Sequence, residues 1–295
     1  MPAQLIVDAR NATGESPVWR PEEQALYWVD IPAQRLHRWS PLDNLTLTWE
    51  APQMIACIAR YGDGSWIAGM QTGLFRVHPN ADGTLAASLL IDVEHARDGM
   101  RFNDGRCDRQ GRFWAGTMFM DMAANAVVGA MYRYDAGQTT PLTPQLTDFI
   151  VPNGLGFSPD GTIMYLSDSH PTVQKIWAFD YDIDTGTPSN RRVFVDMNQF
   201  PGRPDGGAVD ADGCYWICGN DAGLIHRFTP AGKLDRSLAV PVKKPAMCAF
   251  GGKDLDTLFV TSIRPGGDIS DQPLAGGVFA LQPGVKGLEE PSFKG

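Results

Sequence analysis

Ala25-Leu-Tyr-Trp-Val-Asp30 is followed, after a short polar break, by Arg35-Leu-His-Arg-Trp39. Runs this short, rich in aromatic and aliphatic side chains and set off by turn residues, read as neighbouring β-strands rather than a helix. The pair returns five more times. Its first member recurs as Ser65-Trp-Ile-Ala-Gly69, Arg112-Phe-Trp-Ala-Gly116, Ile163-Met-Tyr-Leu-Ser-Asp168, Cys214-Tyr-Trp-Ile-Cys218 and Thr257-Leu-Phe-Val-Thr261. Its second recurs as Gly73-Leu-Phe-Arg-Val77, Ala130-Met-Tyr-Arg-Tyr134, Lys175-Ile-Trp-Ala-Phe179, Leu224-Ile-His-Arg-Phe228 and Gly277-Val-Phe-Ala-Leu281. Turn residues follow, as in Pro79-Asn-Ala-Asp-Gly83, Asp184-Thr-Gly186 and Pro230-Ala-Gly232. A repeat of about 40–50 residues is the signature of a propeller. The expected fold is therefore all-β, a six-bladed β-propeller forming one domain over residues 1–295. Leu5-Ile6-Val7 reads as a lone strand whose pairing onto the last blade would close the ring and cover an edge.

The bulk numbers agree. The chain has 295 residues, is 43% hydrophobic, and has abundant Gly and Pro with no long helix-period stretch. Its formal net charge of −9 argues against nucleic acid, which needs clustered Lys and Arg. No apolar stretch approaches the roughly 18 residues of a membrane span, and the first ten residues lack the charged and apolar regions of a signal peptide. Cys57, Cys107, Cys214, Cys218 and Cys248 are odd in number and scattered, which suits buried thiols in a reducing cytoplasm. A cytoplasmic monomer or dimer is expected, with no membrane or nucleic-acid partner.

A second register runs through the repeats. Glu15, Asn103, Asn153 and Asp205 each stand seven residues ahead of a turn residue: Glu22, Gln110, Asp160 and Asp212. Three of those turns continue into Gly. Any one Asn-Gly or Asp-Gly pair would pass as an ordinary turn. A shared offset instead gives the four side chains one address in the repeat, and units set around an axis would aim them at one point. Gly105, Gly154, Gly156, Gly206 and Gly207 beside them suit the crowded strand nearest that axis. The other two blades carry Ala56 and Met247 near the matching place, which would give the site an apolar side. Oxygen donors without His or Cys favour a hard divalent cation, Ca²⁺, Mg²⁺ or Mn²⁺. No nucleophile elbow, HExxH or Walker loop is present. Ser167-Asp168-Ser169-His170 contains triad residue types, but neighbours along a strand end point in different directions.

Four segments carry a family resemblance: Gly14-Glu-Ser-Pro-Val-Trp19, Arg101-Phe-Asn-Asp-Gly105 with Gly111-Arg-Phe-Trp-Ala-Gly-Thr-Met118, Pro152-Asn-Gly-Leu-Gly-Phe-Ser-Pro-Asp-Gly161, and Pro204-Asp-Gly-Gly-Ala-Val-Asp210. Together they resemble the SMP-30/gluconolactonase/regucalcin-like family over essentially the whole chain. The resemblance implies a six-bladed propeller with one divalent metal in its channel (Ca, Zn, Mn, Mg or Fe(II)) and a sugar lactone as substrate. It implies Glu15, Asn153 and Asp205 as metal ligands, and Arg101 and Asn103 as substrate contacts. Asp121 stands where the family often has a Glu that contacts substrate hydroxyls. The expected activity is metal-dependent opening of an aldonolactone such as a glucono-, arabinono-, xylono- or galactonolactone, with Asp205 as proton acceptor. A metal-dependent phosphotriesterase or esterase, and a non-catalytic propeller binding Ca²⁺ or a partner protein, are the alternatives.

Overall fold

Each aromatic strand pair forms the middle of a four-stranded antiparallel sheet. A computed structural model describes residues 2–295, and among them the strands form six such sheets. In the first sheet Gly14–Arg20, Ala25–Asp30, Arg35–Ser40 and Leu45–Glu50 pair in chain order. The small-residue segment ahead of each aromatic pair is an inner strand: Gly14–Arg20, Ile55–Arg60, Met100–Cys107, Pro152–Phe157, Arg203–Val209 and Pro245–Gly251. These six pack against one another in sequence, and the last meets the first, so they line a central channel. The result is the expected six-bladed β-propeller. Gln4–Val7 closes it by pairing antiparallel with Val278–Leu281, Gln4 opposite Ala280 and Leu5 opposite Phe279.

Burial explains which strands were legible. The inner strands are buried almost throughout, whereas outer strands such as Leu45–Glu50 and Leu234–Ala239 lie mostly in solvent. Trp28, Trp66, Trp114 and Trp216, all on second strands, have no exposed surface. Each buried side chain of that size contributes roughly 2–3 kcal/mol. All five cysteines are buried free thiols.

Hairpin turns at one end of the ring are fixed by their first residue. Asp210 accepts from Asp212 N and Cys214 N at 3.0 and 2.9 Å, and from Trp216 Nε1 and Arg227 Nε at 2.8 Å each. Asp108 does the same in the third blade, accepting from Gln110 N, Arg112 N and the Tyr181 hydroxyl.

At the other end every inner strand carries a β-bulge. The pairing register slips between Glu15 and Val18, Ile55 and Cys57, Phe102 and Gly105, Asn153 and Gly156, Pro204 and Gly207, and Pro245 and Cys248. A bulge bends its strand and re-aims the side chain beside it. Glu15 and Asn153 are the last paired residues before the slip, and Asn103 and Asp205 the first inside it. The seven-residue offset is thus the distance from bulge to turn. Close approach at these bulges leaves no room for a side chain at Gly206, where a Cβ would fall 2.4 Å from Met247. Gly154, at φ +59, adopts a left-handed conformation that a side chain would strain.

The chain's last residues seal the end opposite the bulges. Arg60 donates to Glu289 Oε1 at 2.6 Å and to Glu290 O at 2.5 Å, and the Glu290 carboxylate meets the buried guanidinium of Arg106. Phe293 packs between Tyr61 and Tyr134, with ring centroids 5.2 and 5.6 Å away. Behind this plug is a cavity of about 20 Å³, room for about one water.

Candidate metal and substrate site

The bulges deliver their side chains into one cleft of about 190 Å³ at the open end of the channel. Glu15, Arg101, Asn103, Asn153 and Asp205 all line it. Five blades contribute, because Ile263 follows the second strand of blade 6 and reaches the wall as well. The apolar side differs from the expected one. Ala56 and Met247 do not reach the cleft; Met118, Met122, Val151 and Ile263 form its apolar wall instead. The bulge in blade 6 turns Met247 toward Gly206 and the sealed end.

Two carboxylates dominate the centre. Glu15 is 8% exposed, and its carboxylate has a single contact, a 3.4 Å hydrogen bond from Ser16 N. Asp205 is 7% exposed and accepts from Asn153 Nδ2 through Oδ1 and from Asn220 Nδ2 through Oδ2, each at 2.5 Å. Burial, then the charge of Asp205, pushes the Glu15 carboxyl well above its usual range. Burial likewise raises Asp205 to about 6, against hydrogen bonds from Asn220 and Asn153 and the charge of Arg203 that lower it. A cation between these two buried acids would favour the charged form of both.

The donor set fits a divalent ion. Among the described residues no three His, Cys, Asp or Glu side chains form a metal cluster. Two carboxylates with the amide of Asn153 nevertheless make an oxygen-donor set of the hard type, and Glu15 lacks any other strong partner. The Asn153 amide now offers Asp205 its N–H, the positive end that an ion would supply.

Arg101 and Asn103 form another wall of the cleft. Arg101 Nη1 donates to Phe102 O at 2.7 Å and to Asn103 Oδ1 at 2.9 Å, leaving Nε and Nη2 without protein partners. Burial lowers this guanidinium to about 10, so it remains charged at neutral pH. Asn103 Nδ2 donates to Pro152 O at 3.1 Å and so ties blade 3 to blade 4. Asp121 stands apart. It is exposed, and its carboxylate accepts from Ala123 N to cap a short 3-10 turn, Met122–Ala124; the neighbour Met122 lines the cleft.

Ser169 and Asn220 belong to the site and carried no expectation. Ser169 Oγ accepts from Asn153 Nδ2 at 3.0 Å and donates to Pro204 O at 2.6 Å. Asn220 follows Asp205 by fifteen residues, as Asp30 follows Glu15 and Asp168 follows Asn153. Asp30 takes the amides of Ala12 and Thr13, and Asp168 those of Ile150 and Val151. Blade 5 diverts that repeat position to its donor. Asp168 is therefore a backbone anchor, and His170 donates through neither of its nitrogens to Ser167 but meets Thr172 Oγ1 and Met122 O.

A stability consequence follows for chelated protein. An acid with a raised folded pKa stabilises the fold below its unfolded value and loses that contribution as pH rises through the folded one. For Asp205 the window runs from 3.8 to about 6, a loss of about 3 kcal/mol by pH 7. The melting-temperature gain on adding a divalent cation is expected to grow across that window. Scanning fluorimetry from pH 4 to 7, with chelator or cation, should find the growth blunted in Asp205→Asn.

Comparison with known proteins agrees with this geometry. A family model described as the SMP-30/Gluconolactonase/LRE-like region matches residues 13–264. A 6-deoxy-6-sulfogluconolactonase of Pseudomonas putida is 38% identical over 295 residues, covering 99% of this chain and 98% of that protein. Regucalcin of Danio rerio is 32% identical over 297 residues, covering 99% and 98%. Among solved structures, a calcium-binding protein, regucalcin, from Agrobacterium tumefaciens superposes with a TM-score of 0.91 at 29% identity, covering 99% and 97%.

Proposed function

The chain belongs to the SMP-30/gluconolactonase/LRE-like family, and from that premise we propose that it is a metal-dependent hydrolase that opens sugar lactones to the aldonic acids. The observation that carries the metal dependence is the nearly unpartnered Glu15 carboxylate facing Asp205 at the mouth of the channel.

Glu15, Asn153 and Asp205 would hold the ion. When bound, a divalent cation there supplies Lewis acidity toward the lactone carbonyl and lowers the pKa of nearby water. Asn220 fixes the Asp205 carboxylate, which accepts a proton from the attacking water. Water adds to the carbonyl carbon and the ring C–O bond breaks. Asp205 returns its proton to the leaving ring oxygen to make the hydroxyl, and the acid formed ionises to the carboxylate by losing a proton to solvent. Arg101 holds ring oxygens through its free Nε and Nη2, and Asn103 keeps it in that pose. Met118, Met122, Val151 and Ile263 exclude water from the carbon face of the ring.

The test is acid release from a panel of five- and six-membered aldonolactones, with divalent cation and with chelator. Turnover that stops on chelation and returns with cation is expected. Turnover indifferent to chelator sinks the metal role, and no turnover on any lactone with cation present sinks the hydrolase reading.

A further inference from the structure

The blade 4 bulge is gripped from both sides. Its pairing slips between Asn153 and Gly156, which leaves Gly154 and Leu155 outside the ladder although both are buried. Buried peptide groups there need other partners. The peptide unit joining Gly154 to Leu155 finds one at each end. Its N–H, on Leu155, donates to Asp104 Oδ2 of blade 3 at 2.8 Å, and its oxygen accepts from the Tyr215 hydroxyl of blade 5. Gly154 has φ +59, and a glycine is free to turn unless its neighbouring peptides are held. With the following peptide fixed at both ends, Asn153 is fixed too. Its Oδ1 accepts from Gly154 N at 3.0 Å, and its Nδ2 donates to Asp205 Oδ1 at 2.5 Å.

Packing alone does not ask for this tyrosine. Tyr215 stands ten residues after Asp205, and the same step from Glu15, Asn103 and Asn153 reaches Ala25, Phe113 and Ile163, none with a hydroxyl. The phenol has no exposed surface, and its ring packs on Tyr165 and Phe194 with centroids 5.0 and 6.0 Å away. Phenylalanine would keep those contacts. What tyrosine adds is its hydroxyl, and the inner strands leave room for it. A Cβ on Gly154 would fall 2.5 Å from that oxygen, and one on Gly207 3.0 Å from it. Two glycines from different blades thus admit a single polar atom.

We infer that Tyr215 is a positioning residue for the candidate metal site, acting through Gly154 O to hold the Asn153 amide against Asp205. The inference rests on the metal reading proposed above, in which Asn153 is one of the groups that hold the ion. The test is calorimetric titration of the full chain with Mn²⁺ and with Ca²⁺, beside melting of the chelated protein. Tyr215→Phe is expected to weaken cation binding roughly fivefold, the effect of one hydrogen bond worth about 1 kcal/mol. Tyr165→Phe removes a hydroxyl from the same aromatic stack but leaves the bond to Gly154 O, and should change affinity by less than about twofold. A hydroxyl that served only to satisfy a buried carbonyl would, when lost, lower the melting temperature of chelated protein and leave cation affinity alone. Affinity within about twofold of the unchanged chain in folded Tyr215→Phe therefore overturns the inference, and so does a Tyr215→Phe chain that does not fold. Equal losses in the two variants overturn it as well, because the stack rather than the hydroxyl would then set the site. If the unchanged chain takes neither cation, the metal reading itself falls and the inference with it.

Discussion

Glu15→Gln is expected to cut lactone turnover by about three orders of magnitude, the several kcal/mol that an activating cation supplies, while making chelated protein more resistant to heat. Glutamine preserves the volume of the side chain but removes one of two buried negative charges. In the cation-free protein that charge is a burden, because burial and Asp205 both disfavour it and its single hydrogen bond, from Ser16 N, is 3.4 Å long. Losing it should raise the melting temperature by a few degrees, at roughly 2–4 °C per kcal/mol for a chain of this size. On the proposed reading the same charge would be half of what holds a divalent ion, so the stabilisation gained by adding cation should largely vanish. Activity and stability then move in opposite directions, whereas ordinary structural damage lowers both. Acid-release kinetics and scanning fluorimetry with chelator read the two quantities. A variant that loses heat resistance along with turnover would reassign Glu15 to the fold. Asp205→Asn should follow the same pattern with a smaller gain, because Asn153 and Asn220 already offset its charge.

The largest stability loss should come from the opposite end of the blade. Asp210→Ala is expected to cost about 3–5 kcal/mol, the range for breaking a buried ion pair. Asp210 has no exposed surface and takes four hydrogen bonds, two from backbone amides and one each from Trp216 and Arg227. Alanine leaves the buried Trp216 N–H without an acceptor and strips Arg227 of its innermost partner; Asp212 and Asp235, closer to solvent, remain. Against a total of about 5–15 kcal/mol this is a large fraction, and the melting temperature should fall by roughly 10 °C. Urea titration reads it directly. A loss under about 1 kcal/mol would mean that Asp212 and Asp235 alone satisfy the arginine.

The parts of this molecule that were legible from the chain are those under repeated selection by packing. Aromatic second and third strands recur because every blade must fill the same space between sheets, and Leu5-Ile6-Val7 stood out because an apolar run without a partner needs one. The outer strands were silent: Leu45–Glu50 and Leu234–Ala239 face solvent and keep no apolar pattern. At the site, Glu15, Asn103, Asn153 and Asp205 were found by register, and the register carried the geometry because each stands at a bulge. Asn220 could have been found in the same way, fifteen residues after Asp205, in step with Asp30 and Asp168. Ser169 could not, since a serine at a strand end has many uses. Asp121 lies in a loop outside the repeat, where spacing gives no address. The tail that meets Arg60 and Arg106 is a contact between distant parts of the chain, with no local signature.

The six bulges separate two inheritances that most active sites keep entangled. The kink is made by backbone, and it is present in blades 2 and 6, where Ala56 and Ala246-Met247 occupy it, as well as in the four blades that present oxygen. The hydrogen-bond ladder on either side is the same whether the kinked residue is an acid, an amide or a methyl group. A change of side chain there leaves the hairpin's pairing undisturbed and alters only what projects into the cleft. Such a ring can therefore exchange its donors one blade at a time, each intermediate still folding, and drift from one cargo or chemistry to another without crossing an unfolded sequence.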